Sequence, residues 1–188
     1  MAYEFSKSDM NRIRLEFVLR VINKKHTRPV LRYLSIEDDW AIGTDGNRIH
    51  YSFISQTLPD GLYQPTRKGA MLYLNPVDPA TMQGLKYPKW RTKLPDTSAM
   101  QKTKWVATFE SDKTSTIDIY KFWRVSGCCI DFSFLKDLAV KGVSYDCYWK
   151  DAISPVLFGG RQGVGMGAVI SPITEKDGAG KQYPLEVT

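Results

Sequence analysis

The chain has 188 residues and a net charge of +6, from 26 Lys and Arg against 20 Asp and Glu. With 43% apolar residues it is too hydrophobic for a disordered chain and long enough to bury a core without disulfide or metal staples. No apolar run approaches the roughly 20 residues of a membrane span, and MAYEFSKSDM lacks a signal-peptide core, so a soluble cytoplasmic protein is expected. Cys128 and Cys129 are adjacent and Cys147 stands apart, which reads as reduced thiols rather than a disulfide framework. The positive balance suits an anionic partner such as nucleic acid.

Residues 3–5 suit a short strand. Ser6-Lys7-Ser8-Asp9 then resembles a capping box, and the spacing predicts a helix over 7–23. Met10, Ile13, Phe17 and Val21 lie on one face, extended by Val18 and Ile22, and Arg12, Glu16, Arg20 and Asn23 on the other. Lys24 and Lys25 follow where cations complement a helix C-terminus, and Arg28-Pro29 closes the connection. Three strands come next, at 30–36, 40–44 and 48–54. Glu37-Asp38-Asp39 makes the first turn, and Asp45-Gly46 carries the type I′ hairpin signal of the second.

From 56 to 104 the composition shifts, with six of the ten prolines. A hairpin is expected at 61–66 and 70–74, followed by a long polar excursion with Tyr87, Trp90 and Leu94 as anchors. Residues 105–173 then repeat the first architecture. Strands at 105–110 and 116–124 flank the turn SDKTS, and 125–132 continues extended. Asp131 or Ser133 caps a helix that turns Leu135, Leu138 and Ala139 inward and ends at Gly142. Strands follow at 143–149, 153–158 and 168–173, and the glycine-bearing tail is expected to fray unless Tyr183 and Leu185 dock. The expected class is α+β: one domain of two strand-helix-three-strand half-units (1–57 and 105–174), an insertion with a hairpin (58–104) and a tail (175–188), with helices packed on antiparallel sheets.

No constellation for chemistry stands out. Asp45 reads as a turn former, Glu37-Asp38-Asp39 lacks EF-hand spacing, and neither His26 nor His50 stands at metal-ligand spacing. FGGRQGVGMG (158–167) has no G-K-[ST] and precedes a strand, so it forms no phosphate cradle. No catalytic residue, metal or cofactor is expected, and the chain reads as a non-enzyme.

Three segments resemble the DNA sliding clamp family, the bacterial polymerase III beta subunit and proliferating cell nuclear antigen. Thr44-Asp45-Gly46-Asn47-Arg48 is similar to the T-D-G-H-R hairpin of bacterial clamps, with Asn47 in place of His. Tyr87-Pro88-Lys89-Trp90-Arg91, continuing to Leu94-Pro95, resembles their F-P-D-Y-R-x-x-x-P segment, with Lys89 in place of the acid. Residues 130–138 and 143–149 resemble the clamps' second helix and next strand. The size resembles a stripped-down, single-domain viral relative. The resemblance implies a non-enzymatic DNA-associated factor, self-assembly through sheet edges, and helices that present Arg12, Arg20, Lys24, Lys25, Lys136 and Lys141 to phosphates. A solvated polar face is the other reading of those six. Tyr87, Lys89, Trp90 and Arg91 either contact a partner or pin a long loop to the core. The alternative function is a viral (bacteriophage) accessory or inhibitor protein that uses the clamp-like fold to bind a host defence or replication machine.

Overall fold

The structure, a computed structural model, describes residues 2–82, 84–108, 124, 126–140, 143–160, 165–176 and 182–184. The chain divides into two compact units, Met1–Arg91 and Thr92–Thr188.

The first unit contains β1 (Tyr3–Phe5), α1 (Met10–Leu19), β2 (Leu34–Glu37), β3 (Trp40–Thr44), β4 (Arg48–Phe53), β5 (Gly61–Lys68) and β6 (Met71–Pro76). Its strands lie side by side in the order β1-β6-β5-β2-β3-β4, each antiparallel to its neighbour. The helix starts later than the Ser6 motif predicts, because Asp9 is the cap: its carboxylate accepts the Asn11 amide at 2.8 Å. It also ends earlier, at Leu19.

The buried face of α1 differs from the expected stripe. Leu15, Phe17, Val18 and Leu19 are buried, whereas Met10 and Ile13 are 65% and 45% exposed. The side turned to the sheet is that of Asn11, Leu15 and Val18. Asn11 is admitted because its side-chain oxygen accepts from both the amide and the hydroxyl of Ser55. A polar residue with its bonds made therefore takes a place that an apolar count gives to Met10.

Two local expectations move. The strand placed at 30–36 begins as a 3-10 turn, Pro29–Arg32, with Val30 and Leu31 packed inward, and becomes extended only at Leu34. The tight turn with two left-handed residues is Asp38-Asp39, φ 50° and 62°, between the paired Glu37 and Trp40. Around Asp45-Gly46 only Gly46 is left-handed, and the loop is wider, closing at the pair Thr44 and Ile49.

The hairpin expected within an insertion is present and longer than predicted. It completes the first sheet: β5 pairs with β2, and β6 with β1. It therefore belongs to the first unit and not to an insertion after it.

The second unit contains β7 (Gln101–Thr108), α2 (Phe132–Lys136), β8 (Ser144–Trp149), β9 (Val156–Gly160) and β10 (Met166–Ile170), with the strands in the order β10-β9-β8-β7. Asp131 caps α2 by accepting the Ser133 amide at 2.7 Å, and Leu135 and Leu138 are buried. Ala139 is only half-buried. Arg124 and Ser126 are helical where extended chain is expected. Ile153 precedes its strand, because the Asp151 carboxylate turns the chain by accepting the amides of Ile153 and Ser154. The tail expected to fray forms a ladder, β11 (Thr174–Lys176) against β12 (Gln182–Pro184), with Tyr183 opposite Glu175. Most of the strand predicted at 116–124, the SDKTS turn, the Gly142 cap and Leu185 lie outside the described residues. Among the described residues, each unit has a strand, then a helix, then antiparallel strands, five in the first unit and β8–β10 in the second. Cys128, Cys129 and Cys147 are free thiols, and among the described residues no helix is long and apolar enough to cross a membrane.

Gly43 sets how closely α1 approaches β3. A Cβ there would sit 2.7 Å from the Val18 carbonyl oxygen and 3.0 Å from the side chains of Val18 and Val21. Gly43→Ala is expected to destabilise the fold by about 1–3 kcal/mol, read as a lower urea midpoint. An unchanged midpoint would show that the helix can retreat at no cost.

Candidate nucleic-acid interface

The basic residues of α1 divide into two groups with different surroundings. Arg12 is turned inward, its side chain 12% exposed. Its guanidinium donates to the carbonyls of Phe5 and Ala70 and pairs with Glu16 at 3.4 Å. Glu16 also receives Arg67 from β5. Burial alone would raise the Glu16 pKa, but Arg67 and Arg12 together hold it below the ordinary carboxylate range. Arg12, Glu16 and Arg67 thus bracket the helix to β1 and the β5–β6 hairpin, and Arg12 is not an outward-facing cation.

The second group is exposed. Arg20, Lys24, Lys25 and Arg28 stand at the surface just past the helix. This segment is braced. Asn23 accepts the Lys25 amide at 2.9 Å, and His26 Nδ1 accepts the Arg28 amide at 3.0 Å. His26 Nδ1 is therefore unprotonated, so Nε2–H donates to the Asp45 carbonyl at 3.0 Å. The His26 carbonyl in turn accepts Arg32 Nε at 2.7 Å. His26, which carries no motif in the sequence, joins the basic segment to the T-D-G-N-R hairpin, and Arg28 is a surface cation that the helix pattern did not include. In the second unit Lys136 is exposed at the end of α2, and Lys141 lies outside the described residues.

Asp45 shapes its loop, as expected. One carboxylate oxygen accepts the amides of Asn47 and Arg48, and the other accepts Arg48 Nε at 3.0 Å. Thr44 adds a hydroxyl bond to the Arg48 carbonyl and accepts the Gly46 amide.

Tyr87 and Trp90 face the sheet. The Tyr87 hydroxyl donates to the Ile42 carbonyl at 3.2 Å. Trp90 is 3% exposed and lies 5.9 Å from the ring of Trp40 and 5.4 Å from that of Tyr51. Burial pushes the Tyr51 phenol up to about 12 and raises that of Tyr87 as well. These two aromatics pin the segment to the first sheet, so of the four residues read as partner contacts only Lys89 and Arg91 remain on the surface. Arg91 covers the Trp90 ring at 4.9 Å and pairs with Asp38 at 3.0 Å.

His50 is fully buried beneath α1, on the β4 side opposite that cluster. Its Nδ1–H donates to the Phe17 carbonyl at 3.0 Å, and its ring stacks on Phe17 at 4.4 Å. Burial, with Arg48 and Arg20 nearby and against the help of the Phe17 bond, lowers its pKa to about 3.

No protein-family model matches the chain, and no curated protein is similar to it in sequence. Solved structures are similar in fold. The polymerase III beta subunit of Thermotoga maritima shares 10% identity at a TM-score of 0.58, over 92% of this chain and 65% of its own. That of Borrelia burgdorferi shares 8% at 0.59, over 92% and 64%, and the sliding clamp of Bacillus subtilis 10% at 0.57, over 92% and 64%. The chain therefore has a sliding clamp-like fold and spans about 65% of the length of those clamps.

The buried imidazole makes a pH prediction. Unfolded His50 titrates near 6.5, and the folded residue stays neutral until about 3. Between those values the unfolded state binds the extra proton, so stability falls as pH falls, by up to about 1.4 kcal/mol per unit. Chemical denaturation at pH 7 and pH 5 is expected to show this loss in the wild type and a smaller one in His50→Phe. An equal loss in both would remove His50 as its cause.

Proposed function

We propose that the chain is a clamp-like, DNA-associated factor that works by holding duplex DNA rather than by catalysis. The observation that carries this reading is the braced segment 20–28, where Arg20, Lys24, Lys25 and Arg28 are all exposed beside a helix of a sliding clamp-like fold. Cations held in this way neutralise phosphates without reading bases, as a sliding surface requires. Lys136 and Lys141 contribute from the second unit. Arg12 supports the surface by fixing α1 and does not touch phosphate. Clamps of the resembled family close rings by pairing sheet edges, and β1, at the end of the first unit's sheet, offers such an edge.

A second reading has one observation in its favour. Met10 and Ile13 are exposed on α1, an apolar pair on a face that a DNA-lining helix keeps polar. In this reading the clamp-like fold docks onto a host defence or replication complex, as a viral accessory protein would.

Fluorescence anisotropy with a labelled 30-base-pair duplex separates the two readings. DNA binding is expected to weaken steeply with salt, and the triple variant R20A/K24A/K25A to lower the log–log slope by roughly 2.7, about 0.9 for each phosphate left without its cation. Arg12→Ala is expected to lower stability and leave that slope unchanged. Mass measurement in solution is expected to show a closed oligomer. A monomer whose DNA affinity is indifferent to salt would overturn the clamp reading and leave the docking one.

A further inference from the structure

Between the buried Val21 and Val30 the chain passes from the end of α1 to the 3-10 turn Pro29–Arg32 outside helix and strand. Of residues 23–29 only His26 is turned partly inward, and the other six are exposed. Most bonds of this stretch are local. The His26 amide donates to the Asn23 carbonyl at 3.0 Å, the Lys25 amide to the Asn23 side chain at 2.9 Å, the Arg28 amide to His26 Nδ1 at 3.0 Å, and Arg32 Nε to the His26 carbonyl at 2.7 Å. Bonds between near neighbours set the path of a loop but do not fix where its middle stands on the protein. Among the described residues one bond ties 23–28 to a distant part of the chain, from His26 Nε2–H to the Asp45 carbonyl at 3.0 Å.

The acceptor of that bond is itself held. The Asp45 carboxylate accepts the amides of Asn47 and Arg48 and the Arg48 side chain. The Thr44 hydroxyl donates to the Arg48 carbonyl and accepts the Gly46 amide, and both Thr44 and Arg48 are buried. The T-D-G-N-R loop is thus a fixed point, and His26 reaches it from the middle of the span between Val21 and Val30. Pinning a loop at its middle divides it into two shorter ones and removes conformational freedom from both. Lys24 and Lys25 stand on one side of the pin and Arg28 on the other.

We infer that His26 is a positioning residue for the cationic row: its Nε2–H bond to the Asp45 carbonyl clasps the row to the T-D-G-N-R loop and holds Lys24, Lys25 and Arg28 in the arrangement that meets phosphates, while His26 and Asp45 touch no nucleic acid. What the row is for rests on the DNA reading above; the clasp itself does not. A clasp raises affinity by reducing the entropy lost on binding and leaves the number of neutralised phosphates unchanged. It therefore shifts DNA affinity at every salt concentration without altering the salt slope, which a phosphate contact cannot do.

The test compares His26→Ala, His26→Asn and His26→Gln with the wild type at pH 8, where an imidazole has no charge to lose. An Asn oxygen stands in for Nδ1 and accepts the Arg28 amide, as Asn23 does for Lys25, but does not reach Asp45. A Gln amide extends as far as Nε2 and donates to the Asp45 carbonyl. His26→Ala and His26→Asn are expected to bind the labelled duplex about fivefold more weakly, the worth of one hydrogen bond. His26→Gln is expected to match the wild type, and the log–log salt slope to be the same in all four proteins. Limited trypsin digestion of the intact chain without DNA supplies a second readout. Cleavage after Lys24 and Lys25, mapped by mass spectrometry, is expected to be about fivefold faster in His26→Ala and His26→Asn than in the other two, because cleavage follows the population of the opened loop. The inference is overturned by a His26→Asn protein that binds DNA and resists trypsin as the wild type does, or by a His26→Gln protein as weak and as readily cut as His26→Ala. A salt slope lowered by about 0.9 in His26→Ala would also overturn it, by making His26 a phosphate contact. If the wild type does not bind the duplex, the DNA reading fails by itself; the trypsin series then decides the clasp, upheld by the expected order and overturned by equal cleavage in all four.

Discussion

The close approach of α1 to β3 and β4 is the constraint on which the rest of the first unit depends. It requires a residue without a Cβ at 43, under the Val18 carbonyl. It also requires a flat ring at 50 that can stack on Phe17 while bonding its carbonyl. With the helix at that distance, Asn11 reaches Ser55, and Arg12 and Glu16 reach the β5–β6 hairpin. A helix of only ten residues is marginal alone in water. These tertiary bonds, more than helix propensity, hold it in place.

Once the helix is fixed, the charges separate in a way that their order along the chain does not show. Arg12, Glu16 and Arg67 neutralise one another within the bracket. Arg20, Lys24, Lys25 and Arg28 stand at the surface past the helix end, where the His26 brace limits the freedom of the backbone that carries them. A preordered row of cations loses less side-chain and backbone entropy on meeting a polyanion than a floppy one would. The carboxylates of Glu37 and Asp38 collect elsewhere, around Arg91. A basic chain can therefore present surfaces of both signs.

Much of the fold was legible in local pattern. The strands at β3 and β4, the β5–β6 hairpin, Asp131 as a cap and Asp45 as a turn former all rest on neighbours within a few residues, so their signal is local. The clamp-like architecture was legible from element order and three short motifs. The positions that shifted are those where distant residues intervene. Met10 and Ile13 have the apolarity of core residues, but the Asn11–Ser55 bonds rotate them to solvent. Tyr87 and Trp90 suited either a contact surface or an anchor, and the aromatic face of β3 and β4 takes them in as anchors.

By itself the sequence determined the strands β3 and β4, the β5–β6 hairpin, the Asp45 turn and the Asp131 cap, together with the total charge, because those are set by backbone sterics and short-range bonds. Only the tertiary structure decided which charges are drawn inside and which stand at the surface. Arg12 and Arg20 are two turns apart on the same predicted strip. One lies under the hairpin, bonded to Phe5 and Ala70, and the other is exposed to water, because the β5–β6 hairpin covers the first turns of α1 and not its end. Burial and pairing depend on what the fold brings near a side chain, and here that neighbour comes from 58 residues away.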